Sequence, residues 1–322
     1  MTVFQRLLEN RDLWSIGVYR YDRLEDIFCV PPVALAHFHG ESGLRVGKNY
    51  QSVAADPFLF AHDGLLYLFY EVKTDHAHGT IHAQSMLPDG RWQVHGPVLV
   101  EPFHLSYPQV FALGGRIFML PEAAQSGTVR LYEAEDFPTR WRHCSTLIDS
   151  PLRDPTVLAA KDDYILLLGT TADYKLKLYH APAIDHPFTD LGFIVTRDRR
   201  FARGAGGILN IYGQFLRPAQ DCSGSYGKCV NFQCITKFSS YEWLEHPSGL
   251  NLHIPPAGWR SRGSHHISCE KFGDSLFVAI DGRGPDRVIN SWLLGIMRLA
   301  EKCCHEASVS SLKSRCLRYI KK

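Results

Sequence analysis

The sequence predicts an all-β chain, a five-bladed β-propeller with short terminal helical segments. Three observations predict it. One hairpin pattern recurs five times at intervals of roughly 47 to 61 residues, further strand-like runs follow the copies, and 26 Gly and 18 Pro are spread through the 322 residues without gathering in one linker. With 45% hydrophobic residues, the chain can bury a substantial core.

The first copy is Pro57-Phe-Leu-Phe-Ala-His-Asp-Gly-Leu-Leu-Tyr-Leu-Phe-Tyr70, an apolar strand, a two-residue turn and a second apolar strand. Pro108 to Pro121 and Pro155 to Leu168 repeat it, and Gly206 to Ala219 and Ile267 to Ile280 are weaker copies. The second turn residues align as Gly64, Gly115, Asp162, Gly213 and Asp274. Gly127 to Ala134 and Trp141 to Ile148 read as third and fourth strands of the second unit, and Lys175 to Ala181 with Phe188 to Val195 repeat that plan in the third. Four antiparallel strands in each of five units describe a propeller. Blades are expected over 52–104, 105–152, 153–202, 203–260 and 261–290, with Trp14 to Tyr21 supplying the outer strand that closes the last one. A C-terminal helix and basic tail are expected over 291–322.

In a propeller, the start of each innermost strand and the end of the next strand meet at one mouth of the channel. Positions equally far from a hairpin turn are cross-strand neighbours. That rule sets Asp56 opposite Glu71, Tyr107 opposite Glu122, Asp154 opposite Gly169, Ala205 opposite Gln220 and His266 opposite Asp281, with Asp221 and His265 within one residue of the last two registers. An Asp before Pro is also an ordinary turn element. Independent turn requirements, however, do not explain Glu71, Glu122 and Asp281 at hairpin exits. Convergent carboxylates suit glycoside cleavage or glycosyl transfer, in which one group acts as base or nucleophile and another protonates the departing oxygen.

Formal net charge is +2, so no overall field recruits nucleic acid, and none is expected as a partner. Nine cysteines, with no apolar leader in the first residues, read as reduced thiols of a cytoplasmic protein. The spacing of Cys222, Cys229 and Cys234 does not match a zinc pattern, and no metal or cofactor is expected. From Ser308 to Lys322 there are five basic residues and no acidic one, a tail able to touch an anionic membrane surface. Surface-polysaccharide or glycolipid synthesis inside the cell fits this profile better than secreted digestion.

Asp56-Pro57 and Arg153-Asp154-Pro155 resemble the base or nucleophile and the transition-state stabiliser of the five-bladed arabinanase/β-xylosidase and invertase/levansucrase glycosidases. No Glu-Cys supplies their third element, which leaves the acid open between Glu122 and Glu71. A closer resemblance is to the N-terminal domain of the plant glucosamine inositolphosphorylceramide transferases and their bacterial relatives. It is carried by Ala55-Asp-Pro-Phe-Leu-Phe60, Tyr67 to Glu71, Tyr107-Pro108, Pro121-Glu122, Gly127 to Tyr132, Asp136 to Trp141, Arg153 to Thr156, Arg217-Pro-Ala-Gln-Asp-Cys-Ser223, Tyr226-Gly227 and Ile280-Asp-Gly282. The transferase activity of that family is expected from a separate C-terminal domain, so the resemblance implies a propeller and a glycan context more directly than a reaction.

The expectation is therefore a carbohydrate-active protein whose ligand is a sugar, glycan or nucleotide-sugar. Asp56 would be base or nucleophile, Glu122 or Glu71 acid, and Asp154 stabiliser. Tyr107, Arg153, Arg217, Gln220, Asp221, Tyr226, His265, His266 and Asp281 would contact hydroxyls or an anionic substituent. The alternative is a non-catalytic glycan-binding or scaffold propeller.

Overall fold

The computed structural model describes residues 8–39, 51–74, 77–160, 164–254 and 257–289. Its order begins with β1 (Leu8–Tyr21) and β2 (Val33–His39). The first blade follows as β3 (Gln51–His62), β4 (Leu65–Thr74), β5 (Thr80–Met86) and β6 (Trp92–Leu99). The second is β7 (Ser106–Leu113), β8 (Arg116–Glu122), β9 (Val129–Asp136) and β10 (Arg140–Ile148). The third is β11 (Arg153–Ala160), β12 (Tyr164–Thr170), β13 (Leu176–Ala181) and β14 (Thr189–Thr196). In the fourth, β15 (Arg203–Gly204) and β16 (Leu209–Ile211) both pair with β17 (Gln214–Gln220), which continues to β18 (Val230–Phe238) and β19 (Trp243–Pro247). The fifth sheet runs β20 (Ile267–Phe272), β21 (Ser275–Ile289), β1, β2.

The ring therefore closes differently from the expectation. The N-terminal segment supplies two strands: β1 is third in the blade, paired with β21 from Leu8 to Tyr21, and β2 is outermost. Alternating composition places Trp14 to Tyr21 in a sheet but does not say how many strands lie outside it. The expected C-terminal helix and basic tail lie outside the described residues, as does the turn around Asp162.

The sequence pattern follows from blade stacking. Inner strands lie against blades on both sides, so β4, β8 and β12 read as nearly unbroken apolar runs with little alternation. Phe118, Leu120 and Leu131 of the second blade pack with Val157, Leu167 and Tyr179 of the third in one buried cluster. Phe69 of the first blade meets Trp141 of the second edge-on at 5.9 Å. The outer strands β6 and β10 carry the exposed polar residues. Asp63-Gly64, Gly114-Gly115 and Tyr212-Gly213 have positive φ at both residues, the backbone that tight hairpin turns require.

Three inner strands depart from regular pairing at the same place. Register shifts fall between Ala55 and Phe58, Ser106 and Gln109, and Arg153 and Thr156, at the Asp56-Pro57, Tyr107-Pro108 and Asp154-Pro155 steps. Each residue before the proline is left-handed, with φ of 52° at Asp56, 50° at Tyr107 and 47° at Asp154. Such a conformation costs about 1–3 kcal/mol for a non-glycine residue. It persists because the bulge removes the residue from the ladder and turns its N–H across the channel mouth, where an oxygen waits.

Candidate functional site

The mouth is built from those displaced residues. Asp56 N–H donates to Asp281 Oδ2 at 3.3 Å, Tyr107 N–H to Asp56 Oδ2 at 3.2 Å, and Asp154 N–H to Glu122 Oε2 at 3.0 Å. Each bulge is thus satisfied by a carboxylate of the preceding blade, the last blade serving the first. The bulges also correct the expected register: Glu71 pairs with Ala55, Glu122 with Ser106, Thr170 with Arg153 and Gln220 with Arg203. An extra residue in the inner strand moves every position beyond it by one. The fourth blade differs by two because a Gly206-Gly207 break replaces the X-Pro step. In the fifth blade, regular pairing continues to Ile267 with Ile280, and the Asp281 N–H reaches the His266 carbonyl at 3.3 Å.

The channel is closed beneath this ring. Phe58, Tyr107 and His266 meet edge to face with centroids 4.6 to 5.0 Å apart. The Tyr107 hydroxyl lies 2.8 Å from Thr156 Oγ1 and accepts the Gly206 N–H at 2.8 Å. Gly206 has φ 127°, and a Cβ there would stand 1.9 Å from the Ile267 carbonyl, so a side chain would push the fourth and fifth blades apart. The mouth is therefore closed at its floor.

Its charges fall into two ion pairs and three carboxyls. Arg203 Nε and Nη2 donate to Asp154 at 2.6 and 2.9 Å, and Arg203 Nη2 lies 3.7 Å from Glu122. Gln220 Nε2 donates to the Gly204 carbonyl at 2.8 Å and reaches Asp154 at 3.4 Å. His265 Nδ1 stands 2.5 Å from Asp281 Oδ2. Burial alone would lower the His265 pKa, but the Asp281 charge and contact outweigh it and raise the pKa, while the same pairing lowers that of Asp281 against its own burial. Asp56 is raised to about 7, first by burial and then by Asp281 and Asp154, with His265 opposing. Glu122 is raised to about 8 by burial and the Asp154 charge, and Glu71 well above the carboxylate range by burial and the Asp56 charge. His266 is lowered to about 3 by burial, a neutral ring whose two nitrogens are both buried without a hydrogen bond. Asp56 Oδ1 is likewise buried and unpartnered, 3.6 Å from His266 Nδ1 and 3.7 Å from His265 Nδ1.

Asp56, His265 and Asp281 each offer an atom within 4.8 Å of the others, as metal ligands would. Asp281, however, already accepts three backbone N–H groups, from Asp56, His265 and His266, and faces His265 Nδ1. Both oxygens are engaged, and a cation would have to break that knot. The arrangement instead holds Asp281 fixed and leaves the buried Asp56 Oδ1 without a hydrogen-bond partner.

Not every expected residue arrives. Arg217 is buried in an ion pair, with Nε and Nη2 donating to Glu245 at 2.8 and 2.5 Å, so it holds the outer strand β19 and not a ligand. Asp221 Oδ1 accepts the Ser223 N–H and hydroxyl at 2.9 and 2.6 Å, which shapes its own loop. Arg153 lies over the Tyr174 ring at 5.9 Å and makes no contact with the mouth carboxylates. Tyr226, 45% exposed, covers Arg203 with its ring 5.3 Å from the guanidinium carbon. Sequence reasoning missed Arg203, Thr156 and Trp14, whose ring from β1 stacks on His265 at 4.1 Å and 22°. The signal for Arg203 was its place before the Gly-rich Gly204-Ala-Gly-Gly207 run.

A family model described as Glucosamine inositolphosphorylceramide transferase 1, N-terminal, matches residues 9–283. Among curated proteins, glucosamine inositolphosphorylceramide transferase 1 of Oryza sativa subsp. japonica is 33% identical over 257 residues, 75% of this chain and 34% of that protein. The Arabidopsis thaliana protein of the same name is 28% identical over 309 residues, covering 87% and 40%. The chain thus spans 34–40% of the length of these relatives. Among solved structures, a β-xylosidase/α-arabinofuranosidase from a compost microbial metagenome superposes with TM-score 0.55 at 13% identity over 76% of this chain and 94% of that one. The RS223 β-xylosidase gives 0.52 at 14% over 70% and 91%. At such identity these two show a shared fold.

Proposed function

This chain belongs to the family of the glucosamine inositolphosphorylceramide transferase 1 N-terminal domain, and on that premise we propose that its propeller mouth binds a sugar and performs acid-base chemistry at the sugar's glycosidic bond. The observation that carries the reading is a division of protonation states among the carboxyls gathered at one mouth. Asp56 presents an unpartnered Oδ1 with a pKa near neutrality, while burial holds Glu122 protonated to about pH 8. Groups tuned in this way suit general base and general acid catalysis around pH 7.

On this reading Asp56 takes the proton of the attacking hydroxyl, from water or an acceptor sugar, and Glu122 gives its proton to the departing oxygen. Glu122 is preferred to Glu71 because its side chain is the more exposed of the two, 13% against 9%. Asp154, held by Arg203, faces positive charge developing at the anomeric carbon. Neutral His266 at the floor and the Trp14 ring at the wall offer a hydroxyl partner and an apolar face. The relatives' names, which join glucosamine to a glycolipid, support a glycan ligand.

The test incubates the wild type, Asp56→Asn and Glu122→Gln with a panel of oligosaccharides and nucleotide-sugars and follows products by mass spectrometry. Turnover by the wild type that falls about 100-fold or more in both variants is expected. A sugar bound with equal affinity by all three proteins and converted by none would replace this reading with a glycan-binding propeller.

A further inference from the structure

Each cation inside the mouth has a carboxylate partner, but three arginines close to it in the chain do not. Arg203 is paired with Asp154, Arg200 with Asp198 and Arg217 with Glu245. Between the third and fourth blades, Arg153, Arg197 and Arg199 have no carboxylate partner among the described residues. Arg153 is the first residue of β11 and directly precedes Asp154 of the mouth. Arg197 and Arg199 belong to the segment that leads from β14 to Arg203.

One aromatic ring gathers two of these groups. Tyr174, in the turn between β12 and β13, is held at φ 60°, with its N–H bonded to the Thr171 carbonyl at 3.0 Å. The Arg199 guanidinium carbon lies 4.2 Å from the ring centroid and that of Arg153 5.9 Å. A guanidinium over an aromatic face keeps its N–H edge free while losing rotational freedom. Like charges gathered without a counter-charge repel, so the arrangement favours an anion that meets both forks.

We propose that the Arg153–Tyr174–Arg199 clamp binds the phosphate or diphosphate group of a ligand whose sugar occupies the mouth. A phosphate ester presents several oxygens around one centre, which two planar forks can share, and each charge-assisted contact is strong. The position next to Asp154 places the anion beside the pocket and not within it, as a phosphate attached to a bound sugar would lie. This inference rests on the sugar-binding reading above for the part of the ligand inside the mouth. A nucleotide-sugar in solution and a phosphate-linked glycolipid at a membrane share this chemistry.

The full chain is titrated calorimetrically with inorganic pyrophosphate, glucosamine and glucosamine 1-phosphate, as wild type, as Arg153→Gln/Arg199→Gln and as Asp56→Asn. Pyrophosphate and glucosamine 1-phosphate are expected to bind the wild type and to weaken about tenfold or more in the double arginine variant. Asp56→Asn should keep pyrophosphate affinity and lose affinity for glucosamine 1-phosphate. No binding of either phosphate by the wild type, or equal affinity in the arginine variant, overturns the clamp. Arginine-dependent pyrophosphate binding with no gain from the attached glucosamine upholds the clamp and overturns the sugar reading. Two further arms, UDP-N-acetylglucosamine and phosphatidylcholine vesicles with or without phosphatidylinositol, identify the source by which one shows the arginine dependence. Dependence in neither overturns the assignment of the clamp to a phosphate-bearing sugar ligand.

Discussion

Glu122→Gln isolates the proton on which the proposed chemistry depends. Burial and the Asp154 charge move the Glu122 pKa from 4.5 to about 8. A pKa unit corresponds to about 1.36 kcal/mol, so keeping this carboxyl in the folded state is worth up to about 5 kcal/mol of pH-dependent stability. The sign follows from which state holds the proton. Between pH 4.5 and 8 the unfolded chain releases it and the folded chain retains it, so stability falls as pH rises through that window and levels off outside it. Glu71 and Asp56, also raised, act in the same direction, whereas the neutral rings of His266, His82 and His104, all lowered by burial, act in the opposite one below about pH 6.5, so the Glu122 share is read as a difference between wild type and variant. The amide keeps an acceptor for the Asp154 N–H but has no proton to release. Urea unfolding of wild type and Glu122→Gln at pH 5, 6, 7 and 8 should show the two stability-against-pH slopes differing by one proton below pH 8, about 1.4 kcal/mol per pH unit, with the wild type losing more stability as pH rises. Superimposable slopes would mean that Glu122 is ionised in the folded protein, and its role as acid would go with them.

Two further substitutions test the scaffold. Gly206→Ala places a methyl 1.9 Å from the Ile267 carbonyl at a positive φ and should destabilise by more than about 2 kcal/mol in urea unfolding, and wild-type stability would show that the fourth and fifth blades do not meet there. Arg217→Met leaves Glu245 buried without its cation and should cost about 3–5 kcal/mol, most of it recovered by adding Glu245→Leu. A loss of sugar binding in Arg217→Met without a loss of stability would return Arg217 to the site.

The ring of five was legible because it is written locally. Hairpin turns, apolar strand pairs and a spacing of about 50 residues recur in order along the chain, and inner strands pressed between blades must be apolar on both faces. The same repetition makes Asp56, Tyr107 and Asp154 equivalent by position alone. It could not show that each is bulged. A residue before proline reads as extended backbone, and left-handed geometry there is sustained by an oxygen from another blade. The N–H of Asp56 is held by Asp281, 225 positions away. Arg217 illustrates the converse: its motif matched the family, but its partner on β19 decided that it is structural.

The sequence by itself determined the number of blades, the apolar pairs that stack them and the set of carboxylates that face one mouth, because these depend on composition and spacing within single hairpins. Tertiary structure alone decided which of those carboxyls have raised pKa values, which are engaged by Arg203 or His265, and which oxygen lacks a partner. Those properties come from burial and from charges brought together across blades. Closing the ring with two N-terminal strands, which carries Trp14 onto His265, creates that environment.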